Sequence, residues 1–210
     1  MMYVPKWPLI VHLLSACFCL GSSAIFHLFH IHSHKTCEVL SRLDYGGISV
    51  LVMGSSYPLI FYTYSCQQVL TSRVVWLSII TFTSLSTFTV TMMPSMNKPE
   101  YRSLRGYMFI ILGLSAALPL IFTNFYDPAY IYSGRNWMWA LGGAVYIGGA
   151  LIYVFRIPER WYPTKFDLAG SSHNIFHVAV VLGCSIHFSE SLSMYRHRQE
   201  LVCPIEVPGL

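Results

Sequence analysis

The stretch Ser172-His173-Asn174-Ile175-Phe176-His177 places two histidines four residues apart, and an apolar run over residues 178–186 follows it. Four residues are just over one helical turn, so the pattern predicts a helix that carries both imidazoles on one face. A neutral imidazole is a common zinc ligand, and two on adjacent turns can bind one ion. We therefore expect a third ligand from another part of the chain.

The composition indicates that lipid surrounds this chain. Of its 210 residues, 54% are hydrophobic and only 10% are charged, and the mean hydropathy is +0.52. Soluble domains carry about a quarter charged residues, so we expect a membrane protein. The formal net charge of +4 is mild and indicates positive loops rather than a nucleic-acid surface. The six cysteines form no CxxC pair, and we expect reduced thiols without a disulfide framework.

Six apolar runs predict an all-α fold, a polytopic transmembrane bundle that forms one domain over residues 1–210. A spanning helix needs about 20 residues, a length that the fourth and sixth runs reach only with flanking residues. We expect a kink at Pro119. The runs cover residues 8–29, 44–64, 74–93, 107–122, 137–155 and 173–188.

Small residues recur every four positions in the fifth run, at Ala140, Ala144 and Gly148. Such a stripe lets helix backbones approach closely, which is how helices associate in a membrane. The pattern therefore predicts a helix contact, and a smooth face against lipid is the alternative.

The loop charges predict that both chain termini lie outside the cytoplasm. If the first span runs inward, the cytoplasmic side holds more basic residues than the outer side, as the positive-inside rule requires. The cytoplasmic set is Lys35, Arg42, Lys98, Arg102, Arg105, Arg156, Arg160 and Lys165, and the outer set is Lys6, Arg73, Arg135, Arg196 and Arg198.

Alternating spans bring several ionisable side chains to one face of the membrane. His27 lies near the end of the first run, Asp44 opens the second, and His173 and His177 open the sixth. Ionisable groups inside a membrane are costly and usually functional, so their convergence is the strongest functional signal in the sequence. Ser23 lies one helical turn before His27 on the same face.

Two residues of this cluster also have a plain structural interpretation. Asp44 is suited to capping the second helix, and Ser23 to bonding a carbonyl group of its own helix. The nearby tract of His30, His32 and His34 looks like a metal site, but we interpret it as a solvated polar loop.

Together these motifs resemble the signature of the progestin and adipoQ receptor family, which includes the adiponectin receptors, the plant heptahelical proteins and bacterial hemolysin III. The resemblance rests on Ser23-x-x-x-His27, on Asp44 in the stretch Arg-Leu-Asp-Tyr-Gly-Gly, and on His173-x-x-x-His177. The stretch Tyr153-Val154-Phe155-Arg156-Ile157-Pro158-Glu159-Arg160 ahead of the two-histidine helix is also similar in order and spacing.

The resemblance implies a Zn²⁺ ion held by His27, His173 and His177, with Asp44 and Ser23 as catalytic residues beside it. It also implies a seven-helix fold with a cytoplasmic amino terminus. This chain begins where the family's second helix would begin. We therefore expect the family's first helix to be absent, either in a shorter member or through truncation.

The resemblance implies an adiponectin-receptor-like multi-pass membrane receptor with an intramembrane zinc site. Three histidines leave Zn²⁺ an open position, so we expect hydrolysis of a lipid amide or ester. The resemblance implies that the substrate is a ceramide-like lipid amide, which is cleaved to a fatty acid as part of signalling. The alternative is a non-enzymatic receptor in which zinc is structural and Asp44 is a fourth ligand. A metal transporter is a third class, but the polar groups cluster near one face instead of following a path. We expect the protein to lie in either the plasma membrane or an endomembrane. The sequence does not identify an extracellular ligand.

Overall fold

Each apolar run of the sequence forms helical structure. The computed structural model describes residues 3–126, 131, 136–166, 168–200 and 203. All regular structure in these residues is helical, which confirms the all-α bundle. In chain order the α-helices are α1 (Trp7–Phe29), α2 (His34–Thr63), α3 (Leu70–Thr91), α4 (Arg102–Ser115), α5 (Leu118–Phe122), α6 (Asn136–Phe155) and α7 (Ser172–Arg198).

Five helical segments of the described chain are long and apolar enough to cross a membrane, judged by length and composition. The helix α2 is not among them, because much of it consists of glycine, serine and tyrosine. It lies among α1, α3, α4 and α7, so few of its side chains need to face lipid. A count of six spans therefore stays a prediction. The five segments are Trp7–Phe29, Gln67–Thr91, Pro99–Phe125, Asn136–Phe155 and Ser172–Arg198.

Local capping and proline signals explain where two of the helices begin and end. The helix α2 begins at His34 because the Ser33 hydroxyl accepts a hydrogen bond from the Thr36 backbone N–H at 3.1 Å. Asp44 therefore lies well inside α2, and its interpretation as a helix cap is wrong. The break between α4 and α5 falls just before Pro119, as predicted for that residue.

The helices α6 and α7 pack through glycines, but not through the predicted stripe. A Cβ atom at Gly142 would collide with the His187 ring, and one at Gly149 would collide with the Ala179 side chain. The stripe faces outward, and open space surrounds its glycine, so the predicted contact is wrong and the alternative of an outer face applies. That stripe consists of Ala140, Ala144 and Gly148.

The largest cluster of buried apolar side chains surrounds the carboxyl ends of α2 and α7. Leu59, Ile60 and Tyr62 from α2 pack there with Met194 and Tyr195 from α7, and each is less than one tenth exposed. This end of the bundle is therefore closely packed.

A disulfide closes the same end of the bundle by joining Cys66, just after α2, to Cys203, beyond α7. The expectation that all cysteines are reduced is wrong at these two positions. Their separation of 137 residues left no local spacing motif in the sequence. The other four cysteines, Cys17, Cys19, Cys37 and Cys184, are free thiols.

Candidate metal centre and its cavity

The opposite end of the bundle brings the three predicted metal ligands together. His27 lies in the last turn of α1, and His173 and His177 lie in the first turns of α7. The Nε2 atom of His27 lies 3.3 Å from Nε2 of His173 and 3.3 Å from Nε2 of His177. The Nε2 atoms of His173 and His177 are 3.1 Å apart. Three ring nitrogens therefore form a nearly equilateral triangle.

The size of this triangle fits a tetrahedral zinc ion. Ligand nitrogens at about 2.0–2.1 Å from such an ion lie about 3.3–3.4 Å from one another. Among the described residues, the histidines His27, His173 and His177 have ligand atoms that all lie within 4.8 Å of one another, and Asp44 does not join this group. Three imidazoles without a fourth protein ligand are the arrangement of an open zinc site.

A capping box starts α7 just before its two histidines, so both lie within the helix and on the same face. Ser171 caps the helix, and its hydroxyl accepts a hydrogen bond from the Asn174 backbone N–H at 3.3 Å. The Asn174 side chain in turn accepts one from the Ser171 N–H at 3.2 Å, which completes a capping box. His173 and His177 then follow on adjacent turns, as the sequence predicted.

Asp44 and Ser23 lie beside this triangle, buried between α1 and α2. Asp44 is 7% exposed and Ser23 is 8% exposed. The Asp44 carboxylate interacts with the Ser23 hydroxyl and lies near enough to His27 and His177 for electrostatic interaction. The structure thus brings all five predicted site residues to one end of the bundle.

Two glycines of α2 allow this approach of α1 and α2. A Cβ atom at Gly47 would lie 3.0 Å from the Cys19 Cα atom, and one at Gly54 would collide with the Ser15 side chain. Any larger residue at these positions would push the helices apart. Since Gly47 lies one turn from Asp44, this contact helps to hold the carboxylate against α1.

An elongated cavity of about 110 Å³ begins at the histidines and extends into the bundle. It is lined mainly by apolar residues from α1, α2, α4, α6 and α7. Its lining on α2 extends from Asp44 to Ser56, about 18 Å of helix at roughly 1.5 Å per residue. On α7 it extends from His173 to His187. A long, mainly apolar space with a carboxylate beside the histidines suits a lipid chain with a polar head.

The sequence interpretation missed Arg105, which it treated only as a loop charge. Arg105 is 4% exposed and lines the cavity, and its guanidinium carbon lies 4.3 Å from the centre of the Tyr45 ring. It donates hydrogen bonds to the carbonyl groups of Met96 and Lys98, and in the described part of the chain it forms no salt bridge. A buried cation beside a cavity can bind an anionic or strongly polar group. Its position beside the fourth apolar run was the only signal in the sequence.

The sequence matches a family model described as "Haemolysin-III related" over residues 2–188. The chain belongs to this haemolysin-III-related family. That membership confirms the resemblance seen in the histidine motifs. Together with the membrane-spanning helices, it shows an integral, multi-pass membrane protein.

Three haemolysin-III-related relatives illustrate the similarity. "Heptahelical transmembrane protein ADIPOR1" of Oryza sativa subsp. japonica is 38% identical over 200 residues, which cover 92% of this chain and 51% of the relative. "Adiponectin receptor protein" of Drosophila melanogaster is 35% identical over 199 residues, which cover 92% and 44%. "Heptahelical transmembrane protein ADIPOR2" of rice is 36% identical over 187 residues, which cover 88% and 80%. The chain thus spans about half the length of the first two relatives.

Proposed function

We propose that this chain has a receptor-like role in its membrane, and that its three-histidine centre binds Zn²⁺ and hydrolyses a ceramide-like lipid amide as part of signalling. The observation that supports the chemistry most is the triangle of Nε2 atoms at the start of a long apolar cavity. The receptor-like role is supported by the similarity to a protein named as an adiponectin receptor. The products would be a fatty acid and an amine.

The histidines would bind the ion in their neutral form. His27, His173 and His177 would each coordinate through Nε2, and neutral ligands leave the charge of the ion uncompensated. The bound Zn²⁺ would supply an open position at which water ionises with a pKa of about 7.

Asp44 is suited to act as the general base and then as the general acid. It lies beside the triangle but outside the ligand cluster, so it can take a proton from the attacking water. The water oxygen bonds to the amide carbonyl carbon, and Asp44 returns the proton to the nitrogen as the C–N bond breaks. Ser23, which lies beside Asp44, would donate a hydrogen bond to the oxyanion that develops on the carbonyl oxygen.

The cavity and Arg105 would select the substrate. An acyl chain can lie along the apolar lining, and its carbonyl end then lies near Asp44 and the histidines. The buried guanidinium group of Arg105 favours a polar head or the carboxylate of the released fatty acid.

Release of fatty acid from ceramide by purified protein of known zinc content tests this function. The Asp44→Asn substitution is expected to slow the release about 100-fold or more, because a general base contributes that much. It should leave bound zinc unchanged. Glu38→Gln is the matched control, since Glu38 pairs with Arg42 on the surface of the same helix. Protein that holds zinc but releases no fatty acid from any ceramide would rule out the hydrolase.

A non-enzymatic receptor with structural zinc is the second candidate. It is favoured by the origin of the ligands, since His27 lies on α1 and the other two histidines on α7, so that the ion would cross-link two helices. His27→Ala separates the candidates. Loss of turnover with an unchanged melting temperature indicates catalysis, whereas a large fall in melting temperature indicates a structural ion.

A further inference from the structure

We propose that Glu159 is a positioning residue for the three-histidine centre, an inference that rests on the metal binding proposed above. Glu159 lies between α6 and α7, in the stretch Arg156-Ile157-Pro158-Glu159-Arg160 that the proposed chemistry does not use. Its contacts are with Ser172, the residue immediately before the ligand His173. Glu159 thus acts on the centre through the start of α7.

The Glu159 carboxylate binds the first turn of α7 with both oxygens. Its Oε2 atom accepts a hydrogen bond from the Ser172 backbone N–H at 2.8 Å, and its Oε1 atom accepts one from the Ser172 hydroxyl. Ser172 is fully buried. A carboxylate at a helix amino terminus is also favoured by the helix dipole. The first turn of α7 is therefore fixed to the segment that precedes it.

Arg102 of α4 completes the arrangement around Ser172. Its guanidinium group donates hydrogen bonds to the Ser172 hydroxyl at 3.3 Å and to the Tyr153 carbonyl at 2.9 Å. The guanidinium carbon also lies 4.1 Å from the centre of the Tyr153 ring, and that ring contacts the His173 ring with centroids 5.7 Å apart. Three helices and the Glu159 segment therefore meet next to a single metal ligand.

This arrangement holds His173, the proposed ligand that lies in the first turn of α7, where a helix frays most readily. His173 is the second residue of α7, whereas His177 lies a full turn further inside. Zinc requires its ligands within a few tenths of an ångström of their ideal distances, and outer groups that orient a ligand change metal affinity by about 10–100-fold. Without Glu159 the Ser172 N–H loses its acceptor, and the first turn is free to move His173 away from His27.

A second cap at the same turn provides the matched control. Ser171→Ala removes the hydroxyl that caps the Asn174 N–H but leaves the contacts of Glu159, Ser172 and Arg102 in place. Both this variant and Glu159→Ala remove a cap from one helix end. A role of Glu159 in stability alone predicts that the two variants behave alike toward metal.

Zinc affinity is measured by competition between the purified chain and a chromophoric zinc chelator. A melting curve for each variant measures its stability. We expect Glu159→Ala to weaken zinc affinity about 10-fold or more, and Ser171→Ala to change it less than about threefold. Glu159→Gln keeps an acceptor oxygen but loses the charge, so it should fall between them. The visible spectrum of the Co²⁺-loaded protein should change in Glu159→Ala and stay unchanged in Ser171→Ala.

Equal zinc affinity of Glu159→Ala and the unsubstituted chain would overturn the positioning role. So would an equal loss of affinity in both capping variants. If Glu159→Ala does not fold, Glu159→Gln alone decides, since wild-type affinity there contradicts the role. If the unsubstituted chain binds neither Zn²⁺ nor Co²⁺, the proposed metal centre itself fails, and the positioning role fails with it.

Discussion

The two ends of the bundle hold distant parts of the chain together in different ways. At one end, Cys66 and Cys203 form a covalent bond next to a dense cluster of buried aromatic and aliphatic side chains. At the other, three imidazoles from α1 and α7 meet beside a cavity, and His27 remains exposed. The first end is closed by side-chain packing and a disulfide bond, whereas the second places ring nitrogens where they can bind a ligand.

The difference indicates that the disulfide end stabilises the fold and that the histidine end is suited to binding. Close packing limits motion and excludes ligands, so the disulfide end suits a fixed scaffold. The histidine end combines ionisable groups, a cavity and an exposed histidine, which are the features of a binding site. Disulfides persist in oxidising compartments, in keeping with the sequence prediction that the chain termini lie outside the cytoplasm. The orientation itself stays a prediction.

Removal of a proposed metal ligand should produce the largest effect at the histidine end. His173→Ala leaves two imidazoles, so zinc affinity should fall more than about 100-fold, beyond the loss seen for outer groups. Metal analysis of the purified protein measures this. His32→Ala is the control, because His32 is exposed in the connection between α1 and α2. Full zinc occupancy in His173→Ala would contradict the proposed ligand set.

Loss of the disulfide should destabilise the other end without affecting the metal. Cys66→Ser is expected to lower the free energy of unfolding by about 2–4 kcal/mol, because the bond closes a long loop. Chemical denaturation measures the change, with Cys37→Ser, at a free cysteine, as the control. Zinc affinity should stay the same. If Cys66→Ser weakened zinc binding as well as stability, the two ends would be coupled, which would contradict their separate roles.

Two adjacent glycines of α6 test the packing between the ends. A Cβ atom at Gly149 would collide with Ala179 of α7, whereas Gly148 has open space around it. Gly149→Ala should therefore cost about 1–3 kcal/mol through overpacking. Gly148→Ala should be neutral or stabilise the helix by up to about 1 kcal/mol. Melting temperatures of the two variants compare them directly, and the reverse order would restore the predicted stripe as the packing face.

The smallest expected effect is the pH dependence of the Glu159 contact. Burial alone would raise the pKa of Glu159, but the hydrogen bonds that its carboxylate accepts, chiefly from Ser172, together with the charge of Arg102 hold the pKa below its usual range. The contribution to stability is therefore present above the unfolded pKa of about 4.3 and is lost as the pH falls through the folded value. Melting temperatures of the unsubstituted chain and Glu159→Gln should differ near neutral pH and converge in acid. A difference that grows as the pH falls would contradict this.

The clustering of the candidate site residues could be predicted from the sequence because each had a local or topological signal. The four-residue spacing of His173 and His177 specified a shared helix face, and alternating spans placed His27 and Asp44 at the same membrane face. The sequence could not reveal Arg105, Glu159 or the Cys66–Cys203 bond. Their roles depend on partners in other segments, and such pairings have no short-range pattern.

The sequence by itself determined the membrane class, the helical fold and the convergence of three histidines at one end. Composition and hydrophobic periodicity fix the class and the fold, because they follow from the solvent and from the geometry of a single helix. The histidines converge because successive spans alternate in direction, which brings the end of α1 and the start of α7 to one face of the membrane. Only the tertiary structure decided which face of α6 packs against α7 and which cysteines pair. Those outcomes depend on the fit of side chains between helices, and a change of one position along a helix turns a residue from the interface toward lipid.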